Sequence, residues 1–123
     1  MRKKAVIRVT ANFERNLEDI RLFLAENDAG QVFDVLLDHL FETVIPNLGR
    51  FPEMGRDFFA RKPRSVEGYV RWEKLRKRLG EASLREYLWS DYLLLYVMKE
   101  HQLYLLAIKH HRQLSFDLEG FWR

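Results

Sequence analysis

The sequence contains no cysteine among its 123 residues and only three prolines. Without thiols the chain cannot form a disulfide, a thiolate zinc site or a thiol nucleophile, and the absence of cysteine suits a reducing compartment. No apolar run approaches the roughly 18 residues of a membrane-spanning helix. The start of the chain, MRKKAVIRVT, is too polar for a signal peptide. We therefore expect a cytoplasmic protein that does not enter a membrane.

The composition is that of a folded domain. Hydrophobic residues make up 47% and aromatic residues 14% of the chain, so disorder is not expected. A chain of this length buries roughly two thirds of its unfolded surface, which is enough for one core. We expect residues 1–123 to form a single domain.

The charges are distributed unevenly along the chain. Residues 11–48 carry eight acidic and two basic side chains, a net charge of −6, whereas residues 56–78 carry nine basic and three acidic ones, a net charge of +6. This polarity is more informative about partners than the total charge of +3. The alternative is that two solvated helices of opposite sign pack on each other.

The N-terminal half predicts one strand and two helices. Residues 5–10 alternate apolar and polar side chains, as a half-buried strand does. A helix follows, capped by Thr10 or Asn12, and ends near residues 27–30. Residues 31–49 repeat the helical spacing, and Pro46 is expected to stop or kink this second helix. The short connection makes the two helices an antiparallel hairpin.

The C-terminal half predicts a loop, a basic helix and three strands. Residues 49–65 hold two glycines and two prolines, which is typical of a loop. A helix begins after Ser65 and ends at Gly80. Strands at 84–89, 92–98 and 103–109 are joined closely enough for hairpins, and the middle strand is apolar enough to be covered on both faces.

These elements predict an α+β fold. Its antiparallel sheet consists of the short N-terminal strand and the C-terminal three-strand meander. The helical hairpin packs on one face, and the extra basic helix precedes the meander. Residues 113–123 are expected to dock on the domain.

Four ionisable residues, KHHR at 109–112, end the last predicted strand, where a rigid strand end can present polar groups. Consecutive histidines point to opposite faces of a strand, and no carboxylate lies at ligand spacing, so we predict no metal site. Arg85 is the other candidate, with an ion pair to Glu86 or to a cross-strand acid as the alternative. His39 and the tyrosines of the meander are expected to be structural.

The order of the elements and several short motifs resemble the RelE/ParE superfamily of bacterial toxins from type II toxin–antitoxin (plasmid stabilization) systems. The similarity covers most of the chain and includes FPEMGR at 51–56 as the Pro-x-x-Gly-Arg turn, Arg85, DYLLLYVM at 91–98, and the His-x-Arg at 110–112. The basic segment 60–80 is longer than the linker of the family and is not explained by the resemblance.

The resemblance implies one of two targets. RelE-like members are ribosome-dependent endonucleases that cut mRNA, whereas ParE-like members lack that chemistry and bind DNA gyrase. RelE-like chains place an arginine after the tyrosine that opens the third strand, but Tyr92 is followed here by Leu93. Leucine cannot stabilise the charge of a phosphoryl transition state. The ParE-like branch is therefore favoured.

A ParE-like protein implies particular partners and site residues. It inhibits growth by binding gyrase, needs no cofactor, and is neutralised by a small, partly disordered antitoxin in a hetero-oligomer. The residues expected to contact the target or the antitoxin are Arg56, Arg85, Lys109, His110 and Arg112.

Two alternatives remain open. In a ribosome-dependent endonuclease, catalysis would use Arg85, His111 and Arg112. In the other, the chain is a non-toxic nucleic-acid- or protein-binding module that keeps only the fold.

The basic helix itself has three interpretations. One broad face carries four cations, namely Arg71, Lys74, Lys77 and Arg78. These side chains would contact nucleic-acid phosphates, an acidic antitoxin segment, or only water. No signature of a dedicated nucleic-acid-binding module occurs in the sequence.

Overall fold

A five-stranded mixed sheet is the centre of the fold. The structure, a computed structural model, describes residues 4–60 and 63–110. The strands are β1 (Val6–Val9), β2 (Arg56–Asp57), β3 (Ser83–Trp89), β4 (Tyr92–Lys99) and β5 (Gln102–His110). Their order across the sheet is β1-β5-β4-β3-β2. β1 runs parallel to β5, and the other neighbours are antiparallel.

Helices flank the sheet and confirm the predicted α+β class. They are α1 (Ala11–Glu26), α2 (Gly30–His39), a π-helical turn (Leu40–Val44), α3 (Ile45–Arg50) and α4 (Val66–Leu79). A 3₁₀ turn at Phe58–Ala60 follows β2. The sequence predicted the helical hairpin, the basic helix and the meander, but not β2. The expectation of a purely antiparallel sheet is wrong for β1, which runs parallel to β5. The chain returns from β1 to the sheet through helices, and a crossover of this kind permits parallel pairing.

The predicted caps begin and end these helices. The Thr10 hydroxyl accepts a hydrogen bond of 3.2 Å from the Phe13 N–H at the start of α1, and the Ser65 hydroxyl accepts one of 3.0 Å from the Gly68 N–H at the start of α4. Gly80 ends α4 with a φ of 59°, a left-handed conformation that favours glycine.

The middle strand is covered on both faces, as its apolar sequence predicted. Leu94 and Tyr96 pack with the helical hairpin, whereas the alternating residues Leu95 and Val97 pack with Leu75 of α4. Alternate residues of a strand point to opposite faces, so α4 and the hairpin lie on opposite sides of the sheet. The acidic hairpin and the basic helix therefore do not pack on each other.

The start of α1 replaces β1 along the outer edge of β5. Pairing between β1 and β5 ends at Val9 and Leu105, next to a β-bulge in β5. Beyond that point the Asn16 side chain, which is buried, accepts a 3.1 Å hydrogen bond from the Ile108 N–H. Asn12 donates to the Leu106 carbonyl at 2.8 Å. Side-chain hydrogen bonds thus satisfy part of an edge that β1 is too short to cover.

Pro46 was predicted to stop or kink the second helix, and the structure shows that it does not stop it. The π-helical turn lies directly before Pro46, and the helix continues to Arg50. In the π-helical turn the Ile45 N–H bonds to the Leu40 carbonyl five residues earlier. In a regular helix the proline ring would clash with the carbonyl four residues earlier, and the wider turn relieves that clash.

The predicted loop at 49–65 is shorter than expected, because part of it forms regular secondary structure. Its first two residues belong to α3, and β2 and the 3₁₀ turn occupy 56–60. Only short-range turn signals were available for this segment, whereas β2 forms by pairing with β3, which lies about 30 residues away and cannot be inferred from local sequence. The predicted docking tail, residues 113–123, lies outside the described residues.

Candidate binding surface

The Pro-x-x-Gly-Arg turn is fixed to the middle of the sheet by one hydroxyl. Tyr96 of β4 is fully buried. Its hydroxyl donates a 2.6 Å hydrogen bond to the Pro52 carbonyl and accepts one of 2.9 Å from the Gly55 N–H. Both ends of the turn are therefore joined to the same buried side chain.

Gly55 is required because the turn approaches the sheet closely. A Cβ atom at this position would lie 2.5 Å from the Tyr96 hydroxyl oxygen and 2.9 Å from the Glu86 carbonyl oxygen. Both distances are shorter than a van der Waals contact, and one of the atoms belongs to the backbone. The glycine of the motif is thus explained by packing.

Arg85 binds the backbone of the same turn. Its guanidinium donates to the Gly55 carbonyl at 2.7 Å and to the Glu53 carbonyl at 3.3 Å. The prediction that Arg85 pairs with Glu86 or with a cross-strand acid is therefore replaced by contacts with carbonyl oxygens. A cation expected to contact a partner also holds the turn against β3.

Arg56 forms an ion pair across the edge of the sheet. Its Nε and Nη2 atoms lie 2.9 Å and 2.7 Å from Glu86 Oε1. Glu86 is buried, with 6% of its surface exposed, whereas half of the Arg56 side chain remains exposed. A buried carboxylate needs a charged partner, so Arg56 is bound on one side and accessible on the other.

The last predicted site residues lie at the far end of β5. His110 is opposite Tyr92 in the register, and the two rings meet edge to face with their centres 5.4 Å apart. Trp89 contacts Tyr92 with a ring distance of 5.6 Å, and His39 lies 6.2 Å from Trp89. We call these four residues the aromatic end of the sheet. His39, which was expected among leucines, is exposed and belongs to this cluster.

Lys109 and His110 point to opposite faces of the sheet, as successive strand residues do. Lys109 is opposite Leu93 on the α4 face, and His110 is opposite Tyr92 on the hairpin face. His111 and Arg112 lie outside the described residues. The structure therefore assigns positions to the first half of the KHHR sequence only.

The predicted cations do not converge on one point within the described parts of the chain, 4–60 and 63–110. Arg85 is opposite Tyr96, and His110 is opposite Tyr92. Four residues of strand separate these positions by roughly 13 Å along β4. Arg56 pairs with Glu86, which is opposite Leu95 on the α4 face. These cations are therefore spread over both faces of the sheet.

Leu93, in the place where a cation would be expected in an endonuclease, is buried. Only 5% of its surface is exposed, and its cross-strand neighbours are Leu88 and Lys109. A leucine fits this apolar position, whereas an arginine there would have to leave water. Leu93 lies on the same side of the strand as Leu95 and Val97, which is the α4 side.

The four predicted cations of α4 lie on its exposed side. Arg71, Lys74, Lys77 and Arg78 have no hydrogen bond or ion pair with another residue in the described ranges. Arg76 differs, because its guanidinium lies 5.6 Å from the centre of the Trp72 ring and 3.9 Å from Glu73. The α4 face of the sheet thus carries unpaired positive charge.

Residues 4–60 and 63–110 contain neither a candidate metal site nor a candidate membrane-spanning helix. No group of three or more histidine, cysteine or acidic side chains is placed to bind a metal ion. No described helix has both the length and the apolarity required to cross a membrane.

Sequence reasoning missed the roles of Tyr96 and Glu86. Tyr96 was predicted to pack in the sheet, which it does, but its hydroxyl also binds the turn. The available signals were a glycine in a turn motif, which indicates a close neighbour, and an acid within a predicted strand. Neither signal identifies the partner residue.

The comparisons with known proteins agree with the geometry. A family model described as the ParE toxin of the type II toxin–antitoxin system parDE matches residues 7–115. A search of curated proteins gives no match. The matched region contains the sheet, the hairpin, the Pro-x-x-Gly-Arg turn and all of α4.

We predict that Gly55→Ala destabilises the protein strongly. The added methyl group overlaps the Tyr96 hydroxyl and the Glu86 carbonyl, so the unfolding free energy should fall by about 2–4 kcal/mol. Gly30→Ala is the matched control, because no atom lies within 4 Å of its added Cβ. That variant should be neutral or slightly stabilising in urea denaturation. Equal stability of the two variants would contradict the role of Gly55.

Tyr96→Phe should reduce stability and also change its dependence on alkaline pH. Burial raises the pKa of Tyr96 above its ordinary value of 10.0. The stabilisation of the neutral phenol is complete below the unfolded-state pKa and is lost as the pH rises through the higher folded-state pKa. Urea midpoints should therefore fall less between about pH 9 and about pH 11 in Tyr96→Phe than in the wild type. An equal fall of the urea midpoint in the variant and in the wild type would contradict a contribution of the Tyr96 phenol to the pH dependence.

Proposed function

Because the chain belongs to the ParE toxin family of type II toxin–antitoxin systems, we propose that it arrests bacterial growth by binding DNA gyrase. In this proposal a cognate antitoxin, the partner that the family implies, neutralises it by covering the toxin in a hetero-oligomer. The protein acts as an inhibitor by binding and needs no cofactor.

The burial of Leu93 is the observation that carries this proposal. Cleavage of RNA through its 2′-hydroxyl requires a base, an acid and cations close to one phosphate. At the strand position where the resemblance leads us to expect a cation in an endonuclease, this chain has an apolar side chain that is 5% exposed. Such a side chain cannot stabilise the charge of a phosphate in the transition state. Its presence therefore favours an inhibitor that binds its target over an enzyme that cleaves RNA.

The engagement of Arg85 gives a second argument. Its Nη1 atom donates to the Gly55 and Glu53 carbonyls, and these contacts hold the guanidinium beside the turn, away from the end of β5. The separation of roughly 13 Å between the positions opposite Arg85 and His110 also exceeds the reach of one catalytic group. A large protein target is contacted at separated points, so dispersed cations are compatible with binding to such a target.

The proposed interface uses basic side chains and a histidine of β2, β3 and β5. Arg56 and Lys109 lie on the α4 side of the sheet, and Arg85 and His110 lie on the hairpin side. Arg112, two residues beyond β5, is proposed to complete the contact with the target or with the antitoxin. A rigid strand end is a suitable support for such groups because its backbone is fixed by neighbouring strands.

We predict that Arg112→Ala weakens growth arrest in a graded way without unfolding the protein. Each interface side chain makes its own contribution to binding affinity, so removing one weakens binding only in part. In a catalytic unit, removing one residue abolishes nearly as much activity as removing all of them. His111→Ala should have a smaller effect. The measurement expresses each variant in cells lacking the antitoxin and maps both chromosomal breaks and mRNA ends. Lys99→Ala, which removes an exposed cation at the other end of β4, is the control and should arrest growth like the wild type.

The two maps separate the proposed target from the alternative. Chromosomal breaks with intact transcripts support gyrase inhibition. Codon-phased cuts in ribosome-bound mRNA that disappear in Arg112→Ala would favour an endonuclease using Arg85, His111 and Arg112. Normal growth of cells expressing the wild type would favour a non-toxic binding module.

Leu93→Arg tests whether one cation is enough for RNA cleavage. We expect no cleavage, because the new side chain enters an apolar position and the other groups remain dispersed. Removing the leucine from the buried site should lower the unfolding free energy by about 2–4 kcal/mol. Leu88→Arg is the matched control, since Leu88 is opposite Leu93 but 54% exposed. Codon-phased cleavage by a folded Leu93→Arg variant would show that the missing cation alone separates the two activities.

A further inference from the structure

Helix α4 carries two apolar stripes. The inner stripe faces the sheet and contains Trp72 and Leu75, both of which are buried. The outer stripe is exposed: Val66 has 82%, Tyr69 42% and Val70 46% of its surface accessible. Residues spaced by three and four positions lie on one side of a helix, so these three form a contiguous strip.

The inner stripe already accounts for the packing of α4. Leu75 packs with Leu84, Leu95, Val97 and Leu106 and so covers the face of the sheet opposite the hairpin. The outer stripe adds nothing to that core, and valine is a weaker helix former than most polar alternatives. Apolar anchors spaced at i, i+3 and i+4 on an exposed face are typical of helix-mediated recognition.

Tyr69 is a prearranged anchor within the outer stripe. The Tyr69 ring stacks on the Trp72 ring with the ring centres 5.7 Å apart. The Phe59 ring packs edge-on against Trp72, with the centres 5.4 Å apart. A half-exposed aromatic side chain on a rigid support loses little conformational entropy when a partner binds.

Cations continue the same side of the helix. Lys74 and Lys77 follow Val66 and Val70 at helical spacing, and Arg71 and Arg78 lie beside them, all exposed. None of the four has an ion-pair partner among residues 4–60 and 63–110. The surface is therefore apolar towards its N-terminal end and positive towards its C-terminal end. A complementary partner needs apolar anchors followed by carboxylates.

We propose that this outer surface of α4, formed by the outer stripe and the four cations, is a docking face for an acidic amphipathic helical segment of the antitoxin. The inference rests on the proposed function for the existence of that antitoxin. It adds a contact on the sheet face opposite the helical hairpin. The segment places aliphatic side chains on Val66, Tyr69 and Val70 and carboxylates beside Arg71 and Lys74.

The apolar stripe favours a protein partner over nucleic acid. Phosphate groups gain from the cations but gain nothing from two exposed valines. A second copy of this chain also offers an acidic surface, on its hairpin. However, the hairpin and α4 lie on opposite faces of the sheet, so contacts between copies would be head to tail and would form rings or filaments rather than a two-fold dimer.

The test uses the full chain and two labelled synthetic peptides. The first peptide, of about 20 residues, places leucines at i, i+3, i+4 and i+7 and glutamates elsewhere, so that it forms an acidic amphipathic helix. The second has the same composition with the leucines dispersed around the helix. Fluorescence anisotropy should show binding of the first peptide and at least tenfold weaker binding of the second. Affinity should fall between about 0.05 M and about 0.5 M salt.

Paired variants separate the apolar and ionic contributions. Val66→Ser with Val70→Ser should weaken binding roughly tenfold, because two side chains lose apolar contact. Arg71→Glu with Lys74→Glu should weaken it by at least as much and reduce the salt dependence. The controls are Val35→Ser on α2, where valine is 68% exposed, and Lys99→Glu on β4. Both should bind like the wild type.

Three results would overturn the inference. The first is equal binding of the two peptides, or no loss in the valine variant. The second is tighter binding of a DNA duplex that depends on the cations alone, which would assign the surface to phosphate groups. The third is self-association of the chain through Val66 and Val70 in light scattering. Growth arrest by the wild type tests the proposed function separately, since peptide binding requires no gyrase.

Discussion

The hydroxyl of Tyr96 is the interaction on which the basic side of the molecule depends. It lies in the central strand, is inaccessible to water, and binds the Pro52 carbonyl and the Gly55 N–H. The turn it holds leads directly into β2, whose Arg56 neutralises the buried Glu86. From β2 the chain crosses to the other face of the sheet, where α4 packs. A buried polar group must be paired, and pairing this one fixes the path of the chain.

The sheet separates two surfaces of opposite charge. The acidic hairpin covers one face, and the basic helix covers the other. Charges of this kind guide the approach of partners from a distance and give less to the final affinity than buried apolar anchors do. In the proposed complex, the positive face attracts the acidic antitoxin quickly, and the apolar contacts determine how long the complex lasts. The target and the antitoxin need not use the same face.

Much of the fold was predictable because local patterns agree with it. Periodicity gave α4 and the three strands of the meander within one residue at each end, and Thr10, Ser65 and Gly80 marked helix ends through chemistry that is local to the chain. Pro46 misled because a π-helical turn accommodates it. Of the candidate site, the residues of the turn were identified from the motif, but the contacts of Arg85 with the backbone of the turn were not. Its contacts, Glu53 and Gly55, are about 30 residues away.

The sequence by itself determined the class of fold, the family and the two blocks of charge, since each depends on residue order or composition. Tertiary structure decided which side of the sheet each block occupies. It also decided that Leu93 is buried, that Arg85 binds carbonyls, and that Val66 and Val70 stay exposed while Leu75 is covered. The physical reason is that burial and pairing depend on residues distant in the chain. A helix of 14 residues with two apolar stripes can pack through either one, and only the sheet beneath it selects which.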